Sequence, residues 1–304
     1  MAHDHHEHAH SHAPANFGSA FAIATVLNVA LVILEILYGL AANSLALLAD
    51  AGHNLGDALG LVLAWGAHVL ARQRPTDRFT YGYRSASILS ALVNAVTLLV
   101  ATGAIAWEAV RRFSDPGPVE GWTVIMIAAA AIVVNGLSAW LLMAGRKGDL
   151  NVRGAFLHLA ADAGVSVGVV IAGAVILLTG WLWIDPFVSL AISGAILWGT
   201  WGLLREAVHL SMDAVPPDID PADVQDYLRQ LAGVASIHDL HIWAMSTTET
   251  ALTCHLMMPG GHPGDAFLAA VCHELKHRFK ISHATFQIEL GDAEACSLAP
   301  AHVV

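Results

Sequence analysis

Two histidine–aspartate pairs stand out in a largely apolar chain, His53-Asn-Leu-Gly-Asp57 and His158-Leu-Ala-Ala-Asp162. Both read HxxxD. Residues four apart share one helix face with Cβ atoms about 6 Å apart, so each pair offers an imidazole nitrogen and a carboxylate oxygen to a common point. Two such helices face to face supply four ligands, the number zinc takes in tetrahedral sites. Neutral imidazole and ionised carboxylate bind metal, and the same groups take up protons, so the set suits exchange of one cation for the other. The plainer reading of each pair is a local hydrogen bond that closes a helix interface. Two pairs on different apolar segments, with no Lys or Arg in those segments to neutralise them, favour a metal ion or proton as counter-charge, since an Asp at the centre of a spanning helix costs at least about 2.5 kcal/mol.

The segments that must position these pairs are membrane spans. Of 304 residues 56% are hydrophobic and only 13% charged, far from the balance of a soluble domain. A span needs about 20 apolar residues. Six segments qualify, 17–40, 44–71, 86–110, 122–144, 155–179 and 183–204, and the two HxxxD pairs fall in the second and fifth. The first is too long, and too poor in preceding basic residues, for a cleaved signal peptide. Arg72, Arg74, Arg78 and Arg84 lie between spans two and three, Arg146, Lys147 and Arg153 between four and five, and Arg205 after six. Positive residues stay on the cytoplasmic side, so both termini are expected there. The net charge of -11 and the lack of a basic stripe exclude nucleic acid as partner.

Beyond Met212 the composition turns polar, with Pro216, Pro217 and Pro221 among five aspartates. A separate domain is expected over 213–292, preceded by a spanning domain over 17–212 and followed by a tail at 293–304. Asp220 caps a predicted helix over 221–231. Strands over 237–245 and 250–257, a helix over 265–279 and a strand over 285–290 complete an αββαβ order, an α+β, ferredoxin-like arrangement with the helices on one face. Cys254, Cys272 and Cys296 have neither zinc-finger nor disulfide spacing, which suits a reducing compartment.

The six-span plan, the stretch Ser44-Leu-Ala-Leu-Leu-Ala-Asp-Ala-Gly-His-Asn-Leu-Gly-Asp57, the second HxxxD and His238-Asp-Leu-His-Ile-Trp243 together resemble the cation diffusion facilitator family, in particular its zinc-preferring ZitB-like and CzcD-like bacterial members. That resemblance implies a polytopic α-helical protein of the inner (plasma) membrane. It also implies a homodimer whose protomers exchange cytoplasmic Zn2+ for protons by alternating access, with His53, Asp57, His158 and Asp162 as the transport site. His238, His255 and His283 map to a metal-binding region of the cytoplasmic domain, with Glu289 and Cys296 as further contributors, so zinc is expected there as a regulatory ligand. His241 and Trp243 fit the sheet and the dimer surface better.

Several residues depart from the pattern or sit beside it. The loop Thr76-Asp-Arg-Phe-Thr-Tyr-Gly-Tyr-Arg84 lacks histidine, so no metal is expected there, and the loop between spans four and five is short and basic. Histidines collect instead at His3, His5, His6, His8, His10 and His12, in an arm over 1–16 whose interruption by Asp, Glu, Ala and Ser fits loose metal capture better than an appended tag. Asp50 lies one turn before His53 and admits a proton-linked or supporting role. Glu35 in the first span admits proton work or simple pairing across the bundle. His68 suits the membrane interface. A membrane metalloenzyme would want HExxH on one helix and an open position for water; no HExxH is expected in this chain, and four ligands close the site. A metal-sensing receptor would need an output domain, and the terminal domain has no catalytic or DNA-binding signature.

Overall fold

The computed structural model describes residues 17–143, 150–291, 296 and 298; the six N-terminal histidines, the loop at 144–149 and most of the tail fall outside them. Six long helices come first: α1 (Phe17–Ala41), α2 (Leu45–Ala71), α3 (Ala86–Ser114), α4 (Gly121–Leu142), α5 (Leu150–Thr179) and α6 (Ile184–Ser211). The predicted spans lie on these helices with ends shifted by a few residues. Among the described residues five are long and apolar enough to cross a bilayer, and the described apolar part of α1, Val26–Ala41, is shorter.

Burial on these helices is inverted relative to a soluble protein. Trp198, Leu178 and Trp65 are 87%, 86% and 70% exposed, whereas Glu35, Asp50, Asn135, Ser138, Ser189 and Ser193 are fully buried. Lipid-facing apolar side chains and inward polar ones are what a bilayer solvent selects.

The chain divides into two compact units, residues 1–58 with 100–197, and residues 59–99 with 198–304. In the first, α4 and α5 come into backbone contact at two glycines. A Cβ on Gly173 would lie 2.8 Å from Ile125 Cγ1 and 3.1 Å from the Gly121 carbonyl, so only glycine permits this approach. The start of α2 is held from α6: the Asp185 carboxylate accepts from Ser44 Oγ at 2.5 Å, Leu45 N at 2.8 Å and Ala46 N at 3.3 Å. Those amides begin a helix and have no partner of their own, so Asp185 serves as its cap across 141 positions of sequence. Beside it Asn43, left-handed at φ 54, receives Arg112 Nη1 on its carbonyl at 2.6 Å and Nη2 on its side chain at 2.8 Å.

The second unit contains α7 (Pro221–Arg229), β1 (Ser236–Ala244), β2 (Thr250–Met257), α8 (Asp265–Phe279) and β3 (Ile281–Glu289), the predicted αββαβ order. Strand order is β1-β2-β3, β1 and β2 antiparallel, β2 and β3 parallel. Asp220 caps α7 by accepting from Ala222 N at 2.8 Å. Val224 and Leu228 of α7 and Val271 and Leu275 of α8 share one core with Ile242, Leu252, Cys254, Leu256 and Ile281, so both helices cover the same sheet face. Several boundaries differ from expectation: β1 runs one residue earlier at both ends, and β3 ends at Glu289 and not 290. α7 ends at Arg229 and not 231, and β3 begins at Ile281 and not 285, because the left-handed Lys280 (φ 59) that closes α8 leads straight into the strand.

Within this unit the segment before α3 meets the β1–β2 turn. Arg84 pairs with Glu249 at 2.9 Å, Ser85 Oγ donates to the Met245 carbonyl at 3.3 Å, and Thr247 N donates to Ser87 Oγ at 3.1 Å.

Candidate metal sites in the helices and in the terminal domain

The two HxxxD pairs meet. Nε2 of His53 lies 3.6 Å from Asp57 Oδ2 and 3.4 Å from Asp162 Oδ1. Nε2 of His158 lies 3.1 Å from Asp57 Oδ2 and 3.5 Å from Asp162 Oδ2. The rings stand edge to face with centroids 5.8 Å apart. Ligand atoms of His53, His158 and Asp162 lie within 4.8 Å of one another, and Asp57 closes on both rings. Asp57 Oδ2, which lies nearest His158 Nε2, is buried without a well-formed hydrogen bond, which leaves an oxygen lone pair free for a cation, and His53 Nδ1, the ring nitrogen away from the acids, is likewise unpaired among the described residues. Helix period alone produces this square: four-residue spacing aligns each pair, and antiparallel packing of α2 and α5 opposes them.

Asp50 and Glu35 lie behind the square. Ser166 Oγ is 3.1 Å from both Asp50 Oδ2 and the Asp162 carbonyl, while Asn54 Nδ2 donates to Glu35 Oε2 at 3.3 Å. Asp50 thus faces Ser166, and it is Asp57 that reaches His158. Glu35 Oε1 and Asp50 Oδ1 are buried with no hydrogen-bond partner among the described residues. His68 is exposed in the last turn of α2.

The terminal domain holds a second group on the sheet face turned away from its helices. Donor atoms of His238, His255, Glu289 and Cys296 all lie within 4.8 Å of one another. His255 Nδ1 is 2.9 Å from Glu289 Oε1 and 3.7 Å from Cys296 Sγ, and His238 Nε2 is 3.4 Å from Glu289 Oε2. Both nitrogens of His238 lack a hydrogen bond although the ring is buried. Two imidazoles, a carboxylate and a thiol, with orphaned nitrogens among them, fit a tetrahedral zinc ion. Burial works against ionisation of Glu289, but hydrogen bonds from Cys296 and Gln287, the His238 charge and a hydrogen bond from His255 outweigh it and hold its carboxyl below the usual range. Cys254 is different: burial, and then the Asp239 charge, push its thiol up to about 12, so it is an inert core residue.

Two corrections follow from strand register. His283 does not join this group. It pairs with Ala251, whereas His255 pairs with Gln287, four residues or about 13 Å further along the strands. Its ring instead stands edge-on to Tyr81 at 5.6 Å. Asp239, not anticipated, does join the neighbourhood. A bulge between His238 and His241, with Asp239 left-handed at φ 51, turns that carboxylate onto His255 Nε2 at 3.4 Å and His241 Nε2 at 2.9 Å. His241 therefore contacts the group's margin as well as lying in the sheet, and Trp243 pairs with Ala251 in β1–β2.

Comparison with known proteins supports both halves. The family described as the cation efflux transmembrane domain matches residues 21–210, and that of the cation efflux protein cytoplasmic domain matches 216–290. The zinc transporter ZitB of Escherichia coli (strain K12) is 38% identical over 95% of this chain and 93% of its own length. The cadmium, cobalt and zinc/H(+)-K(+) antiporter of Bacillus subtilis (strain 168) is 34% identical over 95% of this chain and 92% of its own. The metal cation efflux system protein CzcD of Cupriavidus metallidurans is 33% identical over 98% and 92%.

Proposed function

We propose a zinc-export cycle for this chain, which belongs to the cation efflux family, the cation diffusion facilitators. It is a multi-pass membrane transporter and not a catalytic enzyme. The finer reading is a secondary antiporter of the inner membrane with both termini cytoplasmic, working as a homodimer. Its parts are an arm over 1–16, a spanning domain over 17–212, a cytoplasmic domain over 213–292 and a tail.

The observation that carries this reading is the square of His53, Asp57, His158 and Asp162. Zinc enters as substrate when both imidazoles are neutral and both carboxylates ionised. The two carboxylates offset its charge where the bilayer offers no counter-ion. Protons arriving at the same atoms remove the lone pairs that hold the metal, so loading and release are opposite sides of one competition. A pH gradient can then drive the metal against its own gradient. Conformational change supplies the alternation of access.

In the cytoplasmic domain, His238, His255, Glu289 and Cys296 would hold a resident zinc ion. Such an ion influences transport only through different affinity for two conformations, since a domain beyond the sixth span contributes no ligand at bilayer depth.

The test is zinc flux in proteoliposomes with an imposed pH gradient. Flux that follows the gradient, reverses with its sign and is lost in His53→Ala and His158→Ala is expected. Flux indifferent to the gradient would discard proton exchange, and undiminished flux in either variant would remove that residue from the site.

A further inference from the structure

Helix α8 spells His273-Glu-Leu-Lys-His277, which overturns the expectation that the chain has no HExxH: the letters match that pattern, and the function proposed above leaves it unused. The two rings lie side by side on the exposed face, centroids 4.3 Å apart and planes inclined by 40°. The opposite face is fixed: Val271 and Leu275 are buried in the domain core, so the backbone beneath the pair is anchored. Neither ring has a hydrogen bond or ion pair among the described residues. One turn earlier the exposed Ala269 and Ala270 leave the approach open. Metal–nitrogen bonds of about 2.0–2.1 Å put the two nitrogens of one chelate about 3 Å apart, which these rings reach by rotation about their own side-chain bonds.

The carboxylate of the motif makes no ion pair with either ring among the described residues. Glu274 is near Tyr227 of α7, whose phenol is pushed up by burial and then by the Glu274 charge. Among the described residues no third His, Cys, Asp or Glu completes a metal-holding group with the pair. A hydrolytic site needs a third ligand and a base over the bound water. The α8 pair has no third ligand among the described residues.

We infer that His273 and His277 form an open, two-imidazole binding site for a divalent transition cation of the borderline class, such as zinc, nickel or copper(II). Water fills the remaining positions, so the ion exchanges readily. Unbranched access from solvent and a helix-fixed spacing make the pair a surface chelate of the cytoplasmic domain, built from residues separate from both groups described above. Imidazole selects this class over magnesium and calcium, which take oxygen ligands. The inference does not depend on the transport reading.

The test uses the full membrane protein lacking only residues 2–12, whose histidines would otherwise bind the probe. Copper(II) nitrilotriacetate, which has open positions for two imidazoles, is titrated and followed by electron spin resonance. Wild type should bind one probe more per chain than His273→Ala or His277→Ala, and each single variant should lose at least about tenfold in affinity, because the second imidazole acts intramolecularly. His262→Ala, an exposed lone histidine of the same domain, should bind as wild type does. Zinc sulfate should displace the probe. Equal binding by wild type and both single variants overturns the site, and failure of zinc to compete overturns the ligand class. Glu274→Gln should leave binding unchanged. Ester hydrolysis by the zinc-loaded protein that disappears in Glu274→Gln would overturn the open-chelate reading in favour of a catalytic one.

Discussion

His158 Nε2 lies closer to Asp57, on the other helix, than to Asp162 on its own, 3.1 Å against 3.5 Å. His53 shows the same preference for the opposite helix, at 3.4 Å against 3.6 Å. The pairs that appear local in sequence are therefore crossed in space. Neither helix can keep half a site when the other is damaged.

Asp57→Asn and Asp162→Asn should each bring zinc uptake by everted vesicles to background, because either change removes a charge that both histidines face. Membrane insertion, checked by immunoblot, should be unaffected. Uptake above half the wild-type rate in either variant would exclude that acid.

Asp185→Ala should destabilise the protein by about 1–3 kcal/mol, since it leaves buried amides at the start of α2 without an acceptor. Asp185→Asn, which keeps an acceptor oxygen, should lose less. Thermal unfolding in detergent measures both, and equal melting temperatures for Ala, Asn and wild type would contradict the capping role.

Zinc should protect Cys296 from alkylation by iodoacetamide while leaving Cys254 unreacted with or without metal, since the Cys254 thiol, pushed up to about 12, stays protonated near neutral pH. Mass spectrometry of labelled peptides reads both. Changing His238 and His255 together to Ala should abolish the protection and leave transport active with an altered dependence on metal concentration.

Removing residues 2–12 should raise the apparent KM for zinc and leave the maximal rate nearly intact. A histidine-rich segment joined to the first span raises local metal concentration without forming the membrane path. Abolished transport in correctly inserted protein would assign the arm a larger part.

The meeting of the two HxxxD pairs was legible because a single number, the helix period, fixes which side chains share a face. The terminal domain was legible in element order, but its site depends on register, which sequence patterning specifies less firmly. Starting β3 at Ile281 brings Gln287 and not His283 beside His255. The part played by Asp239 needs a left-handed residue inside a strand, an unusual choice for a non-glycine residue that alternation does not foretell. Asp185 as cap of α2 is equally remote from local sequence, since its partners lie 139 to 141 positions away. The α8 motif escaped the sequence reading although its letters are there, and the lack of a third ligand among the described residues is what separates this pair from a catalytic zinc helix.

From Asp50 opposite Ser166, through His53 opposite Asp162, to Asp57 opposite His158, α2 and α5 mesh like the teeth of two racks cut in opposite directions. A slip of one tooth, about 5.4 Å, would set Asp57 against Asp162 one way or Asp50 against Asp162 the other, acid on acid in both cases. With no proton or metal ion between the acids, sliding of these two stretches past one another is therefore opposed by charge, so the register at the site is tied to what the site holds.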